Sequence, residues 1–457
     1  MIRLTAGLAA VVGLVLGNAF SPVPQAPPPL YRHVVATELQ SAAFRTSLSK
    51  TYSLVTIRGG VGGTPALRKL MGDRGALRVF LYRMGTAVSD ETASSFERQQ
   101  HPDWLARDKS GQLVRSKPGN SVIDITNPEV RRWLVSSIVS DVEDLRYDGV
   151  YLDVLGSFFH PGFYSGRPVI RGTELEDAAW REASVALIRE VKAATGKPVI
   201  ANGFGLGSGS AYLEHQADTD ELIAAADGIQ MEQFVRTGSM PLNEFKDVSA
   251  LREDIDYLRN VSARDKLVLV NTRVKVEKNG SDLEGVRDFA LASYLLGREG
   301  NALFYFGPPA SFRTDKLPNA SDVPDYGPQL ASILSKLGEP TGPPQESGEA
   351  LVRKFTGGEV AVNPTQATTS VEIAGEPVSL GPNQARIAVG EESFGPAAAP
   401  GQIRPSPAPD VPTKMSPPWL LLGGVALGFG LAFVVTLAVP RLRSFSRDPR
   451  DPPGPQG

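Results

Sequence analysis

Asp148-Gly149-Val150-Tyr151-Leu152-Asp153 and Asp227-Gly228-Ile229-Gln230-Met231-Glu232 share one pattern: an Asp-Gly turn, a short apolar run and a closing acid. Asp and Gly suit the tight turn that feeds a strand, and a continuous apolar run suits a strand covered on both faces. The pattern continues outward from these two segments. Short β-rich runs fall at 33–37, 52–57, 77–82, 149–153, 198–202, 228–232, 267–271 and 302–306. Helix-period segments lie between them at 128–145, 178–194, 251–261 and 283–296, with apolar residues recurring at three and four. Asn127-Pro128-Glu129 supplies an N-cap, a first-turn proline and an acid near the positive helix end, while Thr195-Gly196-Lys197-Pro198 reads as a stop. Eight strand-then-helix units in about 280 residues predict an α/β chain closed as a (β/α)8 TIM barrel over residues 30–345. An open doubly wound sheet is the alternative.

After the barrel the alternation continues without helices, at 350–355, 359–362, 370–373, 377–380 and 385–389, broken by Gly and Pro turns. This predicts a small antiparallel β-sandwich over residues 346–392. The ends read differently. An apolar run behind Arg3, with Gly17-Asn18-Ala19 before Phe20, predicts a signal peptide over 1–21, an uncleaved anchor being the alternative. Residues 393–418 form a stalk rich in Pro, Ala and Gly, and 419–440 is expected to cross a membrane once as a helix. Arg441, Arg443 and Arg447 then place the tail, 441–457, in the cytoplasm and everything before the helix outside.

Composition narrows the chemistry. The 457 residues carry 47 basic and 50 acidic side chains, a net charge of -3 that offers no excess for neutralising phosphates, so no nucleic-acid partner is expected. Without cysteine there is no disulfide, thiolate metal site or cysteine nucleophile. The four histidines show no paired spacing, so neither a metal nor another cofactor is expected. Gly203 to Gly209 resembles a phosphate cradle but lacks the P-loop lysine, and reads as a mouth loop.

In a parallel barrel the reactive side chains belong at the C-terminal strand ends, where the loops open into one mouth. Asp153 and Glu232 end the fourth and sixth runs. Two facing carboxylates suit glycosidic cleavage, one donating a proton to the leaving oxygen and one attacking or stabilising the anomeric carbon. Either acid alone would read as a helix cap or a salt-bridge partner. The long loop after the third strand holds His101, Trp104 and Asp124, an indole and polar tips that suit a sugar, although Trp104 also fits as a plug on the barrel wall. Asn202, Phe234, Arg273 and Tyr305 are the other expected substrate-binding residues, with Phe158, Phe159 and His160 as further wall candidates.

His101-Pro102-Asp103-Trp104-Leu105, Asp124-Ile125-Thr126-Asn127-Pro128-Glu129-Val130-Arg131 and Asp148 to Asp153 resemble the glycoside-hydrolase-like TIM-barrel proteins of the family fifteen type, relatives of endo-α-1,4-polygalactosaminidase and α-amylase-type barrels. The resemblance runs over roughly 31–389. It implies a catalytic pair formed by the acid ending the fourth strand and a glutamate on a later one, here Asp153 and Glu232, and a terminal β-sandwich. The expectation is an exported, single-pass membrane-tethered glycoside hydrolase acting on a polysaccharide or glycoconjugate of the envelope or a secreted exopolymer. A barrel that binds glycan at the cell surface without cutting it is the alternative.

Overall fold

The computed structural model describes residues 27–58, 64–117, 119–160, 162–242, 244–274, 283–308 and 324–395. The expected signal peptide, the stalk from 396 onward, the membrane span 419–440 and the tail 441–457 lie outside them. Among the described residues no helix is long and apolar enough to cross a membrane.

Eight parallel strands form one sheet: Tyr31–Val35, Leu54–Arg58, Arg78–Met84, Gly149–Gly156, Val199–Phe204, Gly228–Met231, Leu267–Arg273 and Ala302–Gly307. Their spatial order follows their sequence order, unlike a doubly wound sheet, whose order reverses about a switch point. A parallel bridge between Leu30 and Phe304, with the Phe304 amide donating to the Pro29 carbonyl at 3.0 Å, brings the eighth strand back to the first. Each strand is apolar on both faces because it is packed twice. Leu54, Phe80, Ile200, Leu269, Leu303 and four tyrosines fill the interior, while Val, Ile and Leu side chains meet the surrounding helices.

The helices obey their end signals. Asn127 caps Pro128–Leu145 by accepting from the Glu129 amide at 2.9 Å, and Gly196, at φ 62°, ends Asp177–Thr195. The other two long helices are Val248–Ser262 and Leu283–Gly297. Asp148 and Asp227 stand at the strand entrances, where each carboxylate accepts from a neighbouring strand's amide, Val79 at 2.8 Å and Val199 at 2.9 Å. The two matching Asp-Gly segments therefore start their strands in the same way, which sets Asp153, inside Gly149–Gly156, and Glu232, one residue past Met231, toward the opposite face.

The fourth strand is irregular where it turns toward the mouth. Its pairing with the fifth shifts register between Leu152 and Leu155, and Val154 takes φ 62°, a left-handed conformation costly for a β-branched residue. Gly203 on the fifth strand makes room: at φ 153°, a Cβ there would lie 1.6 Å from the Leu155 carbonyl oxygen. Gly203→Ala is therefore expected to cost about 3 kcal/mol, read as a lower urea midpoint; an unchanged midpoint would mean the bulge is not packed against this glycine.

The C-terminal unit is antiparallel. Gln345–Ser347, Ala350–Phe355, Gly358–Asn363, Gln384–Val389 and Glu392–Phe394 form a five-stranded sheet, and the hairpin Thr369–Ile373 with Glu376–Leu380 packs on it around Ala350, Val352, Ala361, Val371, Ile373 and Leu380. Arg353, 2% exposed, ties this unit to the barrel. Its guanidinium donates to the carbonyls of Leu295, Leu296 and Arg298, the unpaired end of the helix Leu283–Gly297, and pairs with Glu299 at 2.6 Å.

Candidate functional site

Side chains at alternate strand positions share a face, so Tyr151 and Asp153, Gln230 and Glu232, and Asn271 and Arg273 form two-residue steps toward the mouth. Asp153, Asn202 and Glu232 line one cavity of about 570 Å³. Asp153 is held by three donors: Tyr82 through its hydroxyl, Asn202 through its amide at 2.8 Å, and the Val154 backbone N–H at 2.8 Å. The left-handed turn at Val154 folds that N–H back onto the carboxylate it follows. Glu232 is paired with Arg273 from the seventh strand, and the two side chains keep only 12% and 16% of their surface exposed.

Burial raises the Glu232 pKa above the ordinary carboxyl value. The Arg273 guanidinium opposes the rise, the nearby Asp153 charge adds to it, and hydrogen bonds from Arg273 and Asn202 oppose it. Asn202 thus reaches both acids, and its Oδ1 is buried without a protein partner.

Below the acids lies a polar floor that motif reading missed. His33 Nε2 meets Gln230 Oε1 at 3.2 Å, Nδ1 meets the Thr56 hydroxyl at 2.6 Å, and the Tyr151 hydroxyl donates to the same Gln230 oxygen. Burial, then the Arg273 charge, pushes the His33 pKa down to about 3, against the Gln230 hydrogen bond, so the ring is neutral. Gln230 Oε1 can only accept, so Nε2 carries the proton and Nδ1 accepts from Thr56. Tyr31, Tyr82 and Tyr151 have pKa values raised by burial. The signal for this floor was the period of two: His33 follows Tyr31, and Gln230 precedes Glu232, by two positions.

Two mouth loops hang from one buried carboxylate. Asp254, on the helix Val248–Ser262 and fully buried, accepts from the Gly209 amide at 2.8 Å and the Val235 amide at 2.9 Å, and pairs with Lys246 at 2.7 Å. It joins the loops after the fifth and sixth strands. Arg236, also fully buried, braces the second loop through the carbonyls of Met240, Pro241 and Glu244, and holds the Arg273 carbonyl at 2.7 Å.

Other expected residues lie elsewhere. Phe234 is fully buried in the outer core, because the chain leaves the sixth strand at Met231 and turns at Val235, φ 56°. Tyr305 packs against Tyr31 inside the barrel, its hydroxyl donating to the Pro308 carbonyl at 3.3 Å, and it does not line the cavity. His101 stacks on Trp104 at 4.2 Å, and Trp104 packs on Phe96 and Trp133, so this part of the loop after the third strand is plugged onto the outer helices, while Lys117 farther along the same loop lines the cavity. Asp124 accepts from the Thr126 amide at 2.9 Å in a turn that leads into Pro128–Leu145. None of these three lines the cavity. Arg273 reaches it only through Glu232. Phe158 and His160 line it, whereas Phe159 is buried and stacks on Tyr164 at 4.0 Å. Among the described residues no group of three or more His, Asp or Glu side chains is arranged to hold a metal.

The model of hypothetical glycosyl hydrolase family 15 matches residues 81–359. No curated protein matches the chain. Among solved structures the chain is similar to a noncanonic maltogenic alpha-amylase from Thermotoga neapolitana, with 12% identity over 80% of this chain and 97% of that one and a TM-score of 0.42. It is similar to an alpha-amylase from Geobacillus thermoleovorans complexed with acarbose, with 13% identity, the same coverages and a TM-score of 0.45. It is also similar to an alpha-galactosidase from Thermus thermophilus in complex with p-nitrophenyl alpha-D-galactopyranoside, with 16% identity over 77% of this chain and 66% of that one and a TM-score of 0.44.

Proposed function

The chain belongs to hypothetical glycosyl hydrolase family 15, and from that membership we propose that it cleaves glycosidic bonds of an envelope or exopolymer polysaccharide or glycoconjugate with two carboxylates. Glu232 protonates the leaving oxygen and Asp153 attacks or stabilises the anomeric carbon. The observation that carries the reading is the contrast between the acids: Glu232 has its pKa raised by burial, as a proton donor needs, while Asp153 is fixed by three donors. Asn202, reaching both, would orient the sugar between them. The test is release of reducing ends from isolated envelope and exopolymer fractions by the wild-type protein. Binding without release would instead make the barrel a glycan-binding scaffold.

The pH profile carries a second expectation. A raised folded pKa means that Glu232 keeps its proton at low pH and loses it as pH rises through that value, so activity falls on the alkaline side at a pH above the usual carboxylate range. Arg273 favours the charged form. Arg273→Met should therefore move the alkaline limb of kcat/KM to higher pH, and a limb moving down would remove Glu232 from the acid role.

We further propose that residues 419–440 anchor the protein, with the barrel outside and 441–457 in the cytoplasm. The support is a run without charged side chains from 419 to 439, followed by Arg441, Arg443 and Arg447. Truncation after residue 395 is expected to move the protein from the membrane fraction to the soluble fraction; retention in the membrane would place the anchor elsewhere.

A further inference from the structure

The cavity is polar at its floor and apolar above it. At the floor stand Asp153, Asn202 and Glu232. Above the floor, Phe158 and Phe163 come from the fourth-strand loop and Phe204 from the end of the fifth strand, with the first two rings 5.9 Å and 5.3 Å from that of Phe204. Met240, Pro241 and Phe245 come from the sixth-strand loop.

Most polar side chains of this upper part are already engaged. The Ser208 hydroxyl caps a helix by accepting from the Ala211 amide at 3.3 Å, and Asp247 does the same for Ala250 at 2.9 Å. Ser210 donates to Glu253, Thr237 meets Ser239 at 3.0 Å, and Lys246 is bound to Asp254. His160 Nδ1 accepts from the Gly162 amide at 3.1 Å. Gln233 and the exposed Lys117 are left. A second or third sugar ring would bring several hydroxyls against groups that each already hold one protein partner and have only their remaining donor or acceptor capacity to offer. An alkyl or aryl group would instead bury apolar area against aromatic and thioether surface. The volume, about 570 Å³, leaves room for such a group beside one sugar ring.

We infer that the site takes glycosides in which one sugar meets the carboxylates and an apolar aglycone fills the aromatic upper cavity. The inference rests on the hydrolase reading of the two acids, because it puts the apolar group on the leaving side, and it narrows the proposed substrate from a polysaccharide or glycoconjugate to a glycoconjugate with an apolar aglycone. It makes Phe158 and Phe204 specificity-determining residues.

The experiment measures calorimetric binding of methyl and hexyl glycosides of glucose, galactose and N-acetylglucosamine to the full chain, together with their turnover. For the sugar that binds, the hexyl form is expected to bind at least about 10-fold more tightly than the methyl form. Phe158→Ala and Phe204→Ala should remove most of that preference, while Phe158→Leu, which keeps apolar volume, retains it. Equal affinity for methyl and hexyl forms overturns the inference, as does tighter binding of the matching trisaccharide than of the hexyl glycoside, or no binding by any member of the series. If chain length raises affinity but nothing is cleaved, the hydrolase reading falls and the apolar site stands. Cleavage with no dependence on chain length gives the reverse.

Discussion

Glu232→Gln is expected to lower turnover of a natural glycan by about 10³-fold while binding persists, because glutamine keeps the shape and the contact with Arg273 but has no acidic proton to give. Asp153→Asn is expected to do at least as much damage. It replaces an anionic partner of the anomeric centre with a neutral amide, and turns one acceptor oxygen toward Tyr82 or Asn202 into a donor. The two losses can be told apart. An aryl glycoside with a dinitrophenolate leaving group needs no protonation, so Glu232→Gln should recover much of its rate on that substrate and Asp153→Asn should not. Reversal of this pattern would exchange the roles of the two acids, and equal activity of both variants with wild type would remove the pair from the chemistry.

The second large effect concerns the mouth loops. Asp254→Ala strands the Lys246 ammonium in a buried site and leaves the Gly209 and Val235 amides without their acceptor. Removing one member of a buried pair costs about 3–5 kcal/mol, so the denaturant midpoint should fall steeply. Lys246→Met leaves the carboxylate two backbone donors and should cost less. Should the two variants prove equally stable, the two amides contribute little and the loops are held elsewhere, with Arg236 the next candidate.

The fold was legible because barrel strands are short, apolar on both faces and punctuated by turn residues, so eight runs could be read without contact information. The first was displaced, expected at 33–37 and found at Tyr31–Val35, because Ala36–Gln40 winds into a 3-10 helix. Asp153 and Glu232 were legible by position: each lies four residues beyond the glycine that opens its strand, near the C-terminal end, although the fourth strand runs on to Gly156 and the sixth stops at Met231. Neighbours of those acids were not. Phe234 lies two positions beyond Glu232, but the strand has already ended and the backbone turns it into the outer core. His101, Trp104 and Asp124 sit in a long excursion, and nothing local in a sequence says whether such a loop folds over the mouth or down the outer wall. Three aromatic rings, Phe96, Trp104 and Trp133, decide for the wall. His33 and Gln230 belong to no motif and become visible only as inward-facing positions of strands.

The neutral imidazole under the acids has a consequence for kinetics. His33 gains its proton only near pH 3, and the phenols of Tyr31, Tyr82 and Tyr151 hold theirs well past the alkaline range. Across the interval in which rates would be recorded, this layer is electrically silent, a fixed backdrop that neither takes up nor releases protons. Inflections in a rate profile therefore do not arise from this layer.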